Sequence, residues 1–418
     1  MAFKKIKLSE AIVFNPNRAL QKGKIAPFIP MEAITPFTRR PNSIYKKEYN
    51  GGAKFANGDT LVARITPCLE NGKTAFISDL SNNEVGFGST EYIVLSAKEN
   101  MTLAKYIYYL AISENFRNEA IRSMTGSSGR QRIQQVALEN LEIKLPDIYV
   151  QSKIINILDT LDSKIELNQK MNETLESMAK AIFKEWFIDF GPVKAKSEGK
   201  KPFGMDDETA ALFPDSFEES ELGLIPKGWT IKTLKGSCEI LMGQSPPGST
   251  YNENGIGMVF FQGRAEFGSR FPSPRLFCSE PSRIVKQGTV LLSVRAPVGD
   301  LNISTENQTC IGRGLAGILH KTGSTTYTYY LLQCLKEKFD MYNGEGTVFG
   351  SINKDTLSEI KSVFPPDEII YKFLNLTLPL DQLYLSNYKE ILSLKNTRDL
   401  LLPKLISGEI ELNEVTVD

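Results

Sequence analysis

The 418-residue sequence has one histidine, His320. A single imidazole excludes HExxH zinc sites, His-rich metal clusters and any triad needing a second His. His320 follows the apolar run LAGIL and reads as a packed residue. The five cysteines (Cys68, Cys238, Cys278, Cys310, Cys334) are odd in number and show no CxxC spacing. They form neither a disulfide framework nor a zinc ribbon, and read as buried or incidental thiols of a reducing cytoplasm. No apolar run approaches the roughly 18–20 residues that span a bilayer. The N-terminus MAFKKIKLSEAIVF has too short an apolar core for a signal peptide, so a cytoplasmic location is expected.

Catalytic motifs are equally scarce. There is no GxxxxGK[ST] loop. Gly344-Glu-Gly346-Thr-Val-Phe-Gly350 has no strand–helix unit or ribose-binding acid around it, and SPPG (245–248) is not the Asn/Asp-Pro-Pro-aromatic loop of an adenine methyltransferase. Glu142-Ile-Lys144 and Glu359-Ile-Lys361 share the E-x-K ending of a nuclease core. Both precede a long helix, at LPD and FPPD, without an upstream Asp in strand context. Their duplication points to packing. No catalytic residue and no metal ligand is expected.

Net charge is zero, with 49 basic and 49 acidic side chains. From Pro202 to Pro226 there are seven acidic residues and no Lys or Arg, which leaves the rest of the chain at +7. The charge is partitioned between segments.

What the sequence does contain, it contains twice. Asp162, Asn168 and Leu175 match Asp381, Asn387 and Leu394 at an offset of 219. YIYYL (106–110) matches YTYYL (327–331), and Gly58 and Pro67 match Gly288 and Pro297 at an offset of 230. The order is kept while the offset drifts, as in a duplicated unit whose loops change length. Each unit reads as a mixed, strand-containing domain followed by one long helix.

The first helix places Ile154, Leu158, Leu161, Ile165, Asn168, Asn172, Leu175, Ala179, Ile182 and Trp186 at 4-3-4-3 spacing. The second places Phe373, Thr377, Leu380, Tyr384, Asn387, Ile391, Leu394, Arg398, Leu401 and Leu405 likewise. A 3.5-residue period over about five heptads predicts a coiled-coil seam, whereas helices packed each on its own domain would drift at 3.6. Asn168 and Asn387 fall at the same repeat position and are expected to fix register. The resulting fold class is α+β, with two mixed domains related by pseudo-twofold symmetry and separated by an antiparallel coiled coil about 55–60 Å long. The expected boundaries are 1–148 for the first domain, 149–190 for its helix and 191–222 for an acidic Gly/Pro linker. The second domain takes 223–366, and 367–418 hold the second helix and tail. The linker has no sustained period and reads as an extended, solvated crossing.

Polar loops carry the binding chemistry. TGSSGRQRIQQ (125–135) joins flexible Gly and hydroxyls to Arg130, Gln131 and Arg132, suited to phosphate or guanine. Its counterpart GEGTVFGSINK (344–354) offers Thr347, Ser351, Asn353 and Lys354. A further loop, GQSPPGSTYN (243–252), precedes Arg264, Arg270 and Arg275. Each loop alone is equally readable as a solvent-exposed turn.

LLPKLISGEIEL (401–412), the LPD and PPD junctions, KPFGMDDETAALFPDSFEESELGLIPKGW, SVRAPVGDLN (293–302) and CIGRGLAGI (310–318) together make the whole chain resemble the specificity subunits of type I restriction–modification systems. The resemblance implies two target-recognition domains, each reading half of a split duplex DNA sequence, with the helices setting the spacer. It implies partners: two modification subunits carrying S-adenosylmethionine, and motor-nuclease restriction subunits using ATP and Mg²⁺. No cofactor is expected on this chain, and no membrane. The candidate DNA contacts are Arg64, Lys73, Ser127, Ser128, Arg130, Gln131 and Arg132 in the first half, with Gln244, Ser245, Tyr251, Arg264, Arg295, Arg313, Thr347, Ser351, Asn353 and Lys354 in the second. The rivals are a stand-alone nuclease or fused methyltransferase, and a scaffold that binds no DNA. Salt-dependent binding of duplex DNA separates the first reading from the scaffold.

Overall fold

The computed structural model describes residues 3–343 and 350–412. The chain forms two compact units, residues 1–170 with 387–418 and residues 171–386.

In the first unit one antiparallel sheet runs Ile12–Phe14, Tyr92–Ala97, Thr60–Ala63, Thr74–Phe76. A second runs Tyr45–Glu48, Ile25–Ile29, Gly86–Gly88, Ala53–Phe55, with Ile25–Ile29 parallel to Gly86–Gly88. The central Thr60–Ala63 is buried on both faces, which explains the apolar run Leu61-Val62-Ala63. An antiparallel pair, Lys4–Lys7 with Glu142–Leu145, brings the N-terminus beside the start of the first long helix.

The second unit repeats this topology. Its first sheet runs Cys238–Met242, Leu315–His320, Val290–Ser293, Leu301–Ile303. Its second keeps a parallel pair, Met258–Phe261 with Gln308–Ile311, and gains one edge strand, Tyr251–Asn252. Thr230–Thr233 pairs with Lys361–Phe364 as Lys4–Lys7 does with Glu142–Leu145. The E-x-K motifs therefore sit where the repeated strand pair meets the long helix. Glu142 meets Lys5 at 2.5 Å, an exposed cross-strand ion pair.

The matching tyrosine motifs lie on helices Ala104–Ile112 and Thr325–Cys334, with Tyr106, Tyr108, Tyr109, Tyr327 and Tyr330 buried. Tyr109 donates to Asp162 of the long helix at 2.9 Å, and Tyr330 donates to the Glu176 carbonyl at 3.1 Å. Tyr109 and Tyr330 thus find a partner for the polar end while the ring fills the core.

The long helices are Ile148–Phe187 and Asp367–Ser407. Within the first unit Arg398 donates to Asp162 at 2.8 Å and Asn168 donates to Glu390 at 2.8 Å. Within the second, Asn172 donates to the Tyr384 carbonyl at 3.3 Å, and Phe183 meets Phe373 with ring centroids 5.8 Å apart. In both, rising numbers on one helix meet falling numbers on the other, so the pairing is antiparallel. Asn168 and Asn387 are both buried, but Asn168 takes Glu390 as its partner. Asp162 and Phe183 are buried where the spacing favours Leu161 and Ile182, because an ion pair and an aromatic cluster draw the seam one residue along.

The segment after the first helix differs from the extended crossing expected of it. It forms helices Gly191–Ser197 and Asp207–Ala211 and a hairpin, Phe217–Ser220 with Gly223–Pro226. Asp206 caps the second helix by accepting from the Thr209 N–H at 2.7 Å. Sparse apolar residues hold the segment down: Val193 and Phe213 are buried, Trp186 meets Phe213 at 5.3 Å, and Phe190 meets Trp229 at 5.5 Å. Its acidic side chains stay in solvent. Among the described residues, no helix is long and apolar enough to cross a membrane and no cluster could hold a metal ion.

Candidate nucleic-acid interface

In the first unit the loop 125–135 is docked on the turn at Thr66–Pro67. The Thr66 N–H donates to the Gln131 carbonyl at 3.0 Å, the Gln131 N–H to the Thr66 hydroxyl at 3.0 Å, and the Ile133 N–H to the Arg64 carbonyl at 2.9 Å. Between these anchors the chain bulges outward through Gly126 (φ 132°) and Gly129 (φ 75°), a backbone that favours glycine. Ser127, Ser128 and Arg130 are exposed on the bulge. The Arg130 guanidinium has no hydrogen bond or ion pair among the described residues.

Arg132 is different. Its Nε donates to both oxygens of Glu91 at 3.0 Å and its Nη2 donates at 2.6 Å, a bidentate clamp. Those hydrogen bonds hold the Glu91 carboxyl below the usual range, with the nearby charges of Arg132 and Arg64 adding to the shift against burial. Arg64 is half-buried and Lys73 donates to the Met31 carbonyl at 2.8 Å. The structure thus presents Arg130, Ser127 and Ser128, anchors Gln131 by its backbone, and ties the Arg132 and Lys73 side chains to protein partners.

The second unit builds the same junction at Ala296–Pro297. The Ala296 N–H donates to the Gly350 carbonyl at 2.8 Å, the Ile352 N–H to the Val294 carbonyl at 3.0 Å, and Arg295 bridges Ser351 through the backbone. Asn353 caps helix Lys354–Glu359 by accepting from the Thr356 N–H at 2.8 Å, while Lys354 is exposed. Thr347 lies outside the described residues. Gln244 is exposed and tied by its backbone N–H to the Ile311 carbonyl at 3.0 Å. The Ser245 hydroxyl accepts from the Arg313 N–H at 3.3 Å. Tyr251 donates to the Pro246 carbonyl at 2.8 Å and packs its ring 4.7 Å from Phe260.

Arg264, Arg295 and Arg313 line one open cleft of about 380 Å³. Arg264 is paired with Asp300, whereas the exposed Arg295 and Arg313 guanidinium groups have no partner among the described residues. Such groups suit phosphate oxygens or the O6 and N7 of guanine. Arg275 shares the cleft, donating to Glu253 and Glu266 at 3.1 Å each.

Two arginines that look like loop cations are anchors. The Arg39 carbonyl accepts from the Phe76 N–H at 2.8 Å and the Arg270 carbonyl from the Ile303 N–H at 2.9 Å, so they are repeat equivalents. Arg39 donates to Glu166 at 2.7 Å and to Asp159, and Arg270 donates to Asp381. Arg270 also lies over the rings of Tyr384 and Tyr329, at 4.7 and 5.3 Å. Their spacing of 231 fits the drift of the repeat and was the available signal.

His320 is buried as expected, its Nδ1 2.8 Å from the Thr322 hydroxyl and its ring stacked 5.9 Å from Phe364.

The family described as "Type I restriction modification DNA specificity domain" matches residues 6–177 and 226–378. Among similar proteins, one from Methanocaldococcus jannaschii assigned as the type I restriction enzyme MjaX specificity subunit is 32% identical over 85% of this chain and 79% of its own. The type I restriction enzyme HindI specificity subunit of Haemophilus influenzae is 29% identical over 87% of this chain and 89% of its own. The crystal structure of a type I restriction–modification S subunit from M. genitalium covers 97% of this chain and 96% of its own, at 17% identity and a TM-score of 0.57, and shares the fold. The chain belongs to the type I restriction–modification specificity family, the non-catalytic subunits that give such complexes their DNA sequence specificity.

Proposed function

We propose that each unit reads one half of a bipartite, asymmetric duplex target. The long helices set the number of unread base pairs between the halves and dock two modification subunits. S-adenosylmethionine is carried by those subunits, ATP and Mg²⁺ by motor-nuclease restriction subunits, and the assembly works in the cytoplasm.

One observation carries this reading. The same sheet topology is built twice in one chain, and the presented side chains differ: Arg130 with Ser127 and Ser128 in one unit, Arg295 and Arg313 in the other. A duplicated frame with unlike readers suits two unlike half-sites. The test is to express the chain with its modification partner and map methylated adenines across the host genome. A split motif with two different halves is expected; a continuous or palindromic motif would overturn the proposal.

A further inference from the structure

In the first unit, one face of the sheet Tyr45–Glu48, Ile25–Ile29, Gly86–Gly88, Ala53–Phe55 closes a core through Ile29 and Phe55. The opposite face is laid with rings. Tyr45 stands opposite Phe28, Phe28 beside Phe87, and Phe87 opposite Lys54, so one row across all four strands reads Tyr, Phe, Phe, Lys. Residues paired in this way point to the same side of a sheet. Phe28 and Phe87 lie with ring centroids 5.0 Å apart, and Tyr49 joins Phe87 at 5.1 Å. The Lys47 ammonium sits over the Phe28 ring, 4.7 Å from its centroid. Phe87 is buried, Phe28 and Tyr49 are half-buried, and Tyr45 is 52% exposed. The fold does not require this surface. In the second unit Phe260 and Cys310 stand at the places of Phe28 and Phe87, with Leu276 for Tyr45 and Ile284 for Lys54. There the face is shut: the extra edge strand brings the Tyr251 ring to 4.7 Å from Phe260, and Phe260, Cys278 and Cys310 are fully buried. The sheet of the first unit ends at Tyr45–Glu48 and leaves its rings accessible.

Charge and ring chemistry together name the occupant. Lys47 and Lys54 have no carboxylate partner among the described residues, and strand alternation turns Glu48 to the other side. The face is therefore cationic, which suits a polyanion. An ammonium is a point charge that fits phosphate, and the row holds no Arg, Asn, Gln or carboxylate with which to read a base edge. An open aromatic ring takes the flat face of a base. A duplex hides that face within its own stack, whereas an unpaired strand offers it. We infer that this face of the first unit binds single-stranded DNA. A base stacks on the Tyr45 ring, Phe28 and Tyr49 extend the apolar floor, and the phosphates meet Lys47 and Lys54. The inference goes beyond the reading of duplex half-sites, which does not depend on it.

The experiment uses the full chain and a fluorescent oligothymidylate of about sixteen nucleotides, with a random duplex as the paired counterpart. Thermal unfolding of each variant is recorded alongside. Wild type is expected to bind the oligonucleotide. Tyr45→Ala should weaken that binding by on the order of ten-fold and leave duplex binding at its wild-type value. Tyr45→Phe keeps the stacking ring and should bind as wild type does. Lys47→Gln removes one phosphate contact, so the slope of log K against log salt for the oligonucleotide should fall by about 0.7. That slope decides alone if Tyr45→Ala fails to fold, and an unchanged slope then overturns the inference. A folded Tyr45→Ala that binds the oligonucleotide as wild type does overturns it. So does equal weakening in Tyr45→Phe and Tyr45→Ala, which would make the phenol the contact and not the ring. Equal weakening on oligonucleotide and duplex overturns it too, because the face would then belong to duplex binding. A wild type that binds duplex and not oligothymidylate sinks the inference and spares the reading of half-sites.

Discussion

In the first unit Arg39 reaches Glu166 and Asp159 on the first long helix, and in the second Arg270 reaches Asp381 on the other. The device is shared: a buried guanidinium from the sheet region locks it to a helical carboxylate. A few residues away the likeness ends. Where the first unit ties a loop arginine to Glu91, the second leaves Arg295 and Arg313 unpaired among the described residues. Internal contacts are copied because they define the frame, and presented groups diverge because nothing in the frame constrains them.

The frame itself is where substitution costs most. Asp162 and Arg398 are 3% and 5% exposed, and Asp162 also accepts from Tyr109. Asp162→Ala leaves a buried guanidinium facing no carboxylate on the opposite helix, and a loss of about 3–5 kcal/mol is expected. In the second unit Arg270→Met strands Asp381, whose side chain is 21% exposed, and water there reduces the loss to roughly half as much. Amide hydrogen exchange in each unit measures both. Equal losses would show that the two anchors are equally dry.

His320 separates the units next. Cys238 opposes it across the sheet as Ile12 opposes Ala97, so the first unit has alanine at this place. Burial pushes the imidazole down to about 4, with Asp367 opposing the shift and Lys232 and Lys321 adding to it. As pH falls from about 6.5 towards 4 the unfolded chain binds a proton that the folded ring refuses, so stability falls; below that window both forms are protonated and the loss stops. Its full size is at most about 3 kcal/mol. A pH series of unfolding should show this in wild type and not in His320→Gln, and exchange should place it in the second unit. An equal acid response in the variant would assign it to other groups.

Arg130 tests the first unit as a reader. Arg130→Ala should cost about 1–3 kcal/mol of DNA affinity and relax one position if it reads a base. If it holds phosphate, the slope of log K against log salt should fall by roughly one. Unchanged affinity and motif would make the bulge a plain turn.

The repeat and the helix spacing made the architecture legible in the sequence, because they reflect periodic burial. Asn168 and Asn387 are buried where the heptads put them. The partner of Asn168 is Glu390, since an antiparallel crossing matches positions by a sum of numbers and the repeat matches them by a difference. The loops were half legible. Arg130 and Arg132 look alike in GRQR, and only folding brings Glu91, 41 residues distant, against one of them. The acidic segment misled through composition: seven carboxylates mask Phe213 and Val193, which dock it.

The smallest expected effect sharpens the comparison most. Glu91 and Arg132 form a partly exposed pair that water screens, so Glu91→Gln should melt close to wild type. Its consequence lies in charge. Glu91 is held ionised by Arg132, and glutamine removes that negative charge and the bidentate grip. Arg132 then resembles Arg295 and Arg313, which have no partner among the described residues. The first unit comes to present two exposed arginines of this kind. Each phosphate newly contacted releases counterions, so the slope of log K against log salt should steepen by about one. The gain should appear on random duplex as much as on the target, because a phosphate contact carries no sequence information. Specificity would fall while affinity rose. If the slope and the affinity for random duplex stay at wild-type values, Arg132 lies away from the DNA backbone, and the Glu91 clamp serves the loop alone.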